Sequence, residues 1–246
     1  AVIVTMAPSS SVIAPTWIAA IALLCAAPAA QGHVGPAPLS LPSSSRLRIH
    51  RARVCLDATT FEDEEVDPGE VAGLAVLKYP HPQLRAENAE ISDFDDELRD
   101  LTRRMFKLMY ASSGVGLAAP QVGVNKRLLV FNPEGDERKI ASEIVLCNPL
   151  IVARSEGTDV EEEGCLSFPG FTADVERNKW IKVKATNLKG KPFNRKFTGW
   201  EARIFQHEYD HLDGVLYVDR VNDDDKAVIK PNLDKLITAH GPGGAL

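Results

Sequence analysis

The sequence predicts an α+β fold in which antiparallel sheets pack around one central helix, and three observations carry that expectation. Helix-periodic segments and strand-like runs are segregated along the chain instead of alternating as βαβ units. Lys189-Gly190-Lys191 separates two short strand-like runs as the tip of a hairpin would, which makes those runs antiparallel neighbours. A third segment, residues 200–212, reads as a helix laid against the sheets. The 246 residues suffice for one domain with extensions, and 44% hydrophobic with 25% charged residues is an ordinary globular composition without internal repeats.

Charge divides the chain. Residues 1–56 hold four Arg and no Lys, Asp or Glu, whereas residues 57–246 hold 24 basic against 34 acidic side chains, a net −10. An acid-free leader rich in Ala, Ser and Pro, with Arg46, Arg48, Arg51 and Arg53 near its end, reads as an organellar transit peptide. The preferred destination is the plastid stroma, with the mitochondrial matrix as the alternative. A secretory signal is the rival, but no Lys or Arg precedes the apolar run Trp17 to Ala30. That run of 14 residues includes Pro28 and falls short of the ~20 needed to span a bilayer. The first residue is Ala, so Met6 is a candidate initiator. Four Cys without framework spacing favour a reducing compartment, and Cys25, Cys55 and Cys147 read as inert buried thiols.

Residues 57–74 form an acidic linker, residues 75–225 the catalytic domain and residues 226–246 a C-terminal extension in this reading. The folded part begins near Leu77 to Pro80. A helix is expected over 94–111, where Leu98, Leu101, Met105, Leu108 and Met109 recur at near 3.6 spacing, Ser92 offers a cap and Gly114 a stop. Its two Met residues read as core packing. Strands are expected at 128–131, 144–153, 171–177, 181–185 and 193–197. The tail after Asp223 reads as a solvated extension with a short helix around Pro231 to Thr238.

The chemistry is concentrated in His207-Glu208-Tyr209-Asp210-His211. Residues four apart on a helix lie on one face with Cβ atoms ~5 to 6 Å apart, so His207 and His211 can reach one metal ion. Glu208 is rotated off that line, poorly placed as a ligand and well placed as the general base for a water in the metal's open position. Gly214 is a plausible stop for this helix. A third His at the spacing metzincins use is absent; Tyr217 stands there. No Glu follows Glu208, and the only later His is His240. Asp219, Asp223, Asp224 and Asp225 stay formal candidates for the third ligand, but an upstream residue is favoured. Cys165, in Glu163-Gly164-Cys165-Leu166-Ser167-Phe168-Pro169-Gly170, is that candidate. A thiolate with two imidazoles leaves one position open, which suits catalysis. Gly164 permits close backbone approach, and Pro169-Gly170 marks a turn just beyond.

Gly114-Val115-Gly116-Leu117-Ala118-Ala119-Pro120-Gln121-Val122-Gly123 superficially suggests a dinucleotide loop. The third glycine and a leading strand are missing, and Pro120 would interrupt a following helix, so the nucleotide reading is rejected. A tight packed connection explains the glycines. It does not explain Gln121, whose amide can donate to an oxygen that gains charge during reaction.

These three segments, in this order and with these separations, resemble the signature motifs of the peptide deformylases, and the likeness extends more weakly over residues 75 to 222 toward the branch shared by bacteria and plant organelles. The resemblance implies a metal held by Cys165, His207 and His211, Glu208 as base, and an oxyanion site made by Gln121 and the backbone N–H of Leu166. It implies that Gly116 and Gly164 hold the peptide substrate by backbone groups. The activity implied is hydrolysis of the formyl group from the initiator methionine of N-formylmethionyl nascent peptides, with one divalent ion, Fe(II) or Zn(II). Val115, Trp200, Ile204 and Phe205 are candidate walls for the methionine side chain, although Ile204 and Phe205 read equally well as core. The acidic chain argues against a direct nucleic-acid partner or a large nucleic-acid surface, while leaving room for a small basic patch near a ribosomal exit site; the organellar ribosome is a candidate partner and no membrane is expected. Two rivals stand beside this reading. One is a zinc endopeptidase with an aspartate as third ligand, the other a non-catalytic metal-binding or ribosome-associated module.

Overall fold

The computed structural model describes the backbone of Val2–Ile3 and residues 68–246. The expected leader, most of the acidic linker, Met6, Cys25 and Cys55 lie outside the described residues. In chain order the elements are β1 (Val2–Ile3), α1 (Asp96–Ala111), β2 (Gly116–Ala118), β3 (Leu128–Phe131), β4 (Ile144–Arg154), β5 (Thr158–Cys165), β6 (Phe168–Asn178), β7 (Trp180–Thr186), β8 (Pro192–Thr198), α2 (Gly199–Leu212), α3 (Tyr217–Arg220) and α4 (Asp223–His240). The fold is α+β. One antiparallel sheet has the order β2-β3-β4-β7-β8 and a second the order β1-β5-β6.

Period-2 alternation explains how the larger sheet serves two cores. In β3, Leu128 and Val130 face Leu98, Leu101, Met105, Leu108 and Met109 of α1. Leu129 and Phe131 face the opposite way, into a cluster with Ile181, Val183 and Phe197 of the sheet and Ala202, Ile204, Phe205 and Leu212 of α2. A strand buried on both faces must be apolar throughout, and Leu-Leu-Val-Phe is. A third cluster, including Tyr79, Leu84, Phe168, Val175, Leu216, Tyr217 and Ile229, closes over Cys165 from the C-terminal side. Helix α2 is thereby buried along most of its length between the sheets.

Four local expectations are corrected. Helix α1 starts at Asp96, and its cap is Asp95, whose carboxylate accepts from Leu98 N at 2.9 Å; Ser92 instead bonds Asp93. Strand β5 went unanticipated, because Thr158 to Glu163 contains four acids and no apolar alternation. Pro169 and Gly170 lie inside β6, which starts at Phe168; the reversal is made at Leu166-Ser167, and Cys165 pairs directly with Phe168. The tail is an 18-residue helix, not a solvated extension with a short one. Ile229 is buried, and Leu233, Leu236 and Ile237 pack beside it against the third cluster. These residues recur at i, i+4, i+7 and i+8, a stripe that Pro231 and the surrounding charges obscured. Asn222 caps this helix by accepting from Asp225 N, and Asp223, Asp224 and Asp225 occupy the first turn, where the helix dipole favours acids.

Candidate metal centre

Two periodicities assemble the site. Strand alternation places Asp159, Glu161, Glu163 and Cys165 on one face of β5, and helical spacing places Arg203, His207 and His211 on one stripe of α2. Where the two faces meet, one ligand atom each from Cys165, His207 and His211 lies within 4.8 Å of the others, and all three residues are about 1% exposed. Cys165 Sγ is 3.4 Å from His211 Nε2. Ordinary Zn–S and Zn–N bonds at a tetrahedral angle separate sulfur and nitrogen by ~3.6 Å, so this spacing fits a shared ion. His207 Nε2 and His211 Nδ1 are buried and make no hydrogen bond among the described residues. Burial of an unbonded imidazole nitrogen is unfavourable, and a metal bond to His207 Nε2 would relieve it. The residues present therefore fit a divalent ion.

Around the ligands lies a buried charge network that the sequence reading did not anticipate. Glu163, fully buried, accepts from Arg177 Nε at 3.0 Å and Arg203 Nη1 at 2.8 Å through Oε1, and from Arg177 Nη2 and His207 Nδ1, both at 2.9 Å, through Oε2. These bonds use the carboxylate's full acceptor capacity. By taking the Nδ1 proton, Glu163 fixes the tautomer that leaves His207 Nε2 available to the metal. Asp210 carries the network outward, accepting from Arg177 Nη1 at 2.6 Å and Arg220 Nη2 at 2.7 Å. The signal for Glu163 and Arg203 was position alone: Glu163 is two residues before Cys165 on a strand, and Arg203 four before His207 on a helix.

Charge follows the same geometry. Burial would raise the Glu163 carboxyl, but the Arg177 guanidinium and the His207 imidazole outweigh it and hold the group well below the usual carboxylate range. Burial likewise opposes ionisation of Cys165, and nearby positive charge, that of His207 included, lowers its thiol regardless. Burial, then the neighbouring His207, pushes His211 far down, so it stays a neutral donor. Thiolate and neutral imidazole are the metal-binding forms. Cys147 is the contrast: burial alone drives its thiol up to about 11, as expected of an inert core cysteine.

The remaining candidates are placed as follows. Glu208 is fully buried and abuts Gly116, where a Cβ would stand 2.6 Å from Glu208 Oε1 and 2.9 Å from Ile204 Cγ2. Gln121 sits in a short 3-10 turn after β2, its Oε1 accepting from Ala118 N at 2.9 Å. This bond aims Gln121 Nε2 at Cys165 Sγ, 3.6 Å away, and at Ser167 Oγ, 3.2 Å away. Leu166 follows Cys165 in the tight turn, its side chain in the core and its carbonyl accepting from Lys78 Nζ at 3.0 Å. Val115 and Trp200 are half-buried beside the α2 core, Trp200 donating to Pro133 O at 3.1 Å. Phe205 belongs to the core, stacked on Phe197 and Tyr209 with ring centroids 5.4 and 5.6 Å away. Tyr217 packs its ring over His207 at 6.1 Å. The aspartates offered as third ligands are engaged elsewhere: Asp219 holds Arg85 at 2.7 Å, and Asp223 to Asp225 begin α4.

A family model described as polypeptide deformylase matches residues 74–227. The chain is 46% identical over 180 residues to "Peptide deformylase 1B, chloroplastic" of Oryza sativa subsp. japonica, covering 73% of this chain and 65% of that one. It is 46% identical over 163 residues to "Peptide deformylase 1B, chloroplastic/mitochondrial" of Arabidopsis thaliana, covering 66% and 59%. The chain thus spans about two thirds or less of the lengths of these plant relatives. Among solved structures, a plant peptide deformylase aligns with TM-score 0.67 at 44% identity, covering 69% of this chain and 91% of that one. A Plasmodium falciparum peptide deformylase aligns with TM-score 0.66 at 41% identity, covering 67% and 96%.

Proposed function

The chain belongs to the polypeptide deformylase family, and from that premise we propose that it is a metal-dependent hydrolase removing the formyl group from the initiator methionine of newly made organellar polypeptides. The observation that carries the reading is the convergence of Cys165, His207 and His211 with buried Glu208 and Gln121 at their side. Cys165 Sγ and one imidazole nitrogen each from His207 and His211 would hold the ion. Fe(II) and Zn(II) both suit this ligand set. When bound, such an ion supplies Lewis acidity, polarising a carbonyl oxygen and making a nearby water acidic near neutral pH.

The protein's own groups do the rest. Glu208 takes a proton from the water that attacks the formyl carbon, then returns it to the departing amine nitrogen as the C–N bond breaks. Formic acid and a free amino terminus result; the acid then gives up the water's second proton to the amine or to solvent, leaving formate. As the carbonyl oxygen gains charge, Gln121 Nε2 and the Leu166 N–H donate to it; Gln121 is prepared for this by its bond to Ala118, which removes any need to reorient. Gly116 leaves the space that the Glu208 carboxylate occupies. The substrate main chain would lie along β5 at Gly164. Support comes from β1, which pairs antiparallel there, Val2 opposite Cys165 and Ile3 opposite Gly164, so this edge accepts an extended segment. Val115, Ile204 and Trp200, which pack in one cluster, would hold the methionine side chain.

The chloroplastic names of the relatives support the plastid stroma, with the mitochondrial matrix as the alternative. No helix among the described residues is long and apolar enough to cross a membrane. The test is formate release by protein purified without oxygen, offered N-formyl-Met-Ala-Ser or its N-acetyl counterpart. Formate from the first peptide alone is expected. A folded, metal-loaded protein that releases none would refute the reading.

A further inference from the structure

We propose that the outer face of the β7–β8 hairpin is a docking surface for the phosphate backbone of RNA. Residues 179–198 contain seven basic side chains and no acid, in a chain where acids outnumber bases 34 to 28. Alternation turns Ile181, Val183, Ala185 and Phe197 into the core and leaves Trp180, Lys182, Lys184 and Lys196 on the other face. Lys182 stands directly opposite Lys196 across the two strands. Like charges so placed are unfavourable for the sheet, which a purely structural surface would avoid.

Nothing within the described residues neutralises them. Arg195 alone pairs with a carboxylate, that of Glu201 at 3.1 Å; Lys179, Lys182, Lys184, Lys189, Lys191 and Lys196 have none within ion-pair distance. Protection of an exposed edge would explain Lys196 on β8, the last strand of its sheet. It does not explain Lys182 and Lys184, which lie on β7, an inner strand.

The geometry is prepared as well as charged. Lys182 and Lys196 hold their ammonium groups 6.0 and 4.7 Å from the Trp180 ring centre. Lys189 and Lys191 are fixed at the tip because both donate their backbone N–H to Asn187 Oδ1, at 2.9 and 3.1 Å, while Phe94 packs under Gly190. Lysines two apart on a strand are ~6.6 Å apart, so the face presents a regular row of compact cations roughly 20 Å long. Compact ammonium groups without forked arginines suit phosphates contacted without sequence preference. Trp180 adds a ring on which a base can stack. Glu87 and Glu90 stand near Lys184, Asp93 and Asp95 flank the Phe94 that packs under Gly190, and the exposed apolar neighbours include Leu150 and Val152 on β4. A lipid surface is disfavoured because the projecting tip, Lys-Gly-Lys, has no apolar side chain to insert.

The test compares the full chain with Lys182→Gln/Lys184→Gln/Lys196→Gln by fluorescence anisotropy on a labelled single-stranded RNA, across a salt series. These residues lie outside the proposed catalytic machinery, and the variant relieves a like-charge pair, so folding and formate release should be unchanged. Expected are RNA binding by the wild type, at least about ten-fold weaker binding by the variant near 0.1 M salt, and a log–log salt dependence shallower by about 2, as ~0.7 per lost phosphate contact requires. The proposal is overturned by a wild-type protein that does not bind, by a variant that binds equally well, or by tighter binding to vesicles of phosphatidylcholine and phosphatidylglycerol or to a poly-glutamate peptide than to RNA.

Discussion

The β5–β6 and β7–β8 hairpins are nearly the same length and opposite in charge. Residues 158–178 hold six acids and one base, Arg177; residues 180–198 hold six bases and no acid. In β5 the charges at Asp159, Glu161 and Glu163 point at α2, where Arg203 meets all three at 2.8 to 2.9 Å. In β7 the core-facing positions are apolar and the charges face water. The first hairpin uses charge to hold a helix and a histidine in place. The second presents charge to something else. Sequence composition is symmetrical between them, and the difference lies in which face of the pleat carries the charge and what stands opposite.

The largest effect should come from removing the hub of the first hairpin. Glu163→Ala leaves Arg177 and Arg203 buried without their shared partner, a loss of about 3 to 5 kcal/mol. It also frees the His207 ring, weakening metal affinity by about 10-fold to 100-fold. Chemical denaturation and metal competition would measure the two separately. If the variant unfolds too readily to load, Glu163→Gln keeps one acceptor and should recover part of the metal affinity. Stability near that of the wild type in both would mean the network is decorative.

Next in size is Gln121→Leu, expected to fold and bind metal while turning over about 10²-fold to 10³-fold more slowly, the usual consequence of losing one oxyanion donor. Equal turnover would remove Gln121 from the mechanism. Gly116→Ala forces a methyl group into the space of Glu208 Oε1. Overpacking of this kind is worth about 1 to 3 kcal/mol, and here it should appear chiefly as lost formate release at retained metal content. A variant with normal kinetics would show that Glu208 can work from another rotamer.

The second hairpin predicts the smallest and oppositely signed effect. Lys182→Thr removes a like-charge pair and adds a β-branched residue to a strand, so the melting temperature should rise, by an amount matching a few tenths of a kcal/mol. A fall would mean that the Lys182 contact with Trp180 outweighs the repulsion from Lys196.

The two hairpins also show which parts of the molecule were legible from the sequence. β7 and β8 were, since Ile181, Val183, Ala185 and Phe197 alternate with polar residues and Lys-Gly-Lys marks the tip. β5 was not, because its core-facing positions are acids whose burial depends on Arg203 and Arg177, elements distant in sequence. In the site, His207 and His211 were legible through helical spacing, and Cys165 through its neighbours. Glu163 stood in plain view two residues away, but nothing local says that a carboxylate is buried. The same limit applies to α4, whose apolar stripe depends on the Tyr79–Phe168 cluster to cover it.

The most direct test of the central claim, a Cys165–His207–His211 metal centre served by a non-ligating base, is Glu208→Ala assayed for metal content and formate release on the same anaerobic preparation. The account predicts about one equivalent of metal, as three intact protein ligands should hold, with formate release nearly abolished. A variant that arrives empty would make Glu208 a ligand, and one that still releases formate at the wild-type rate would remove it as the base; either result contradicts the account.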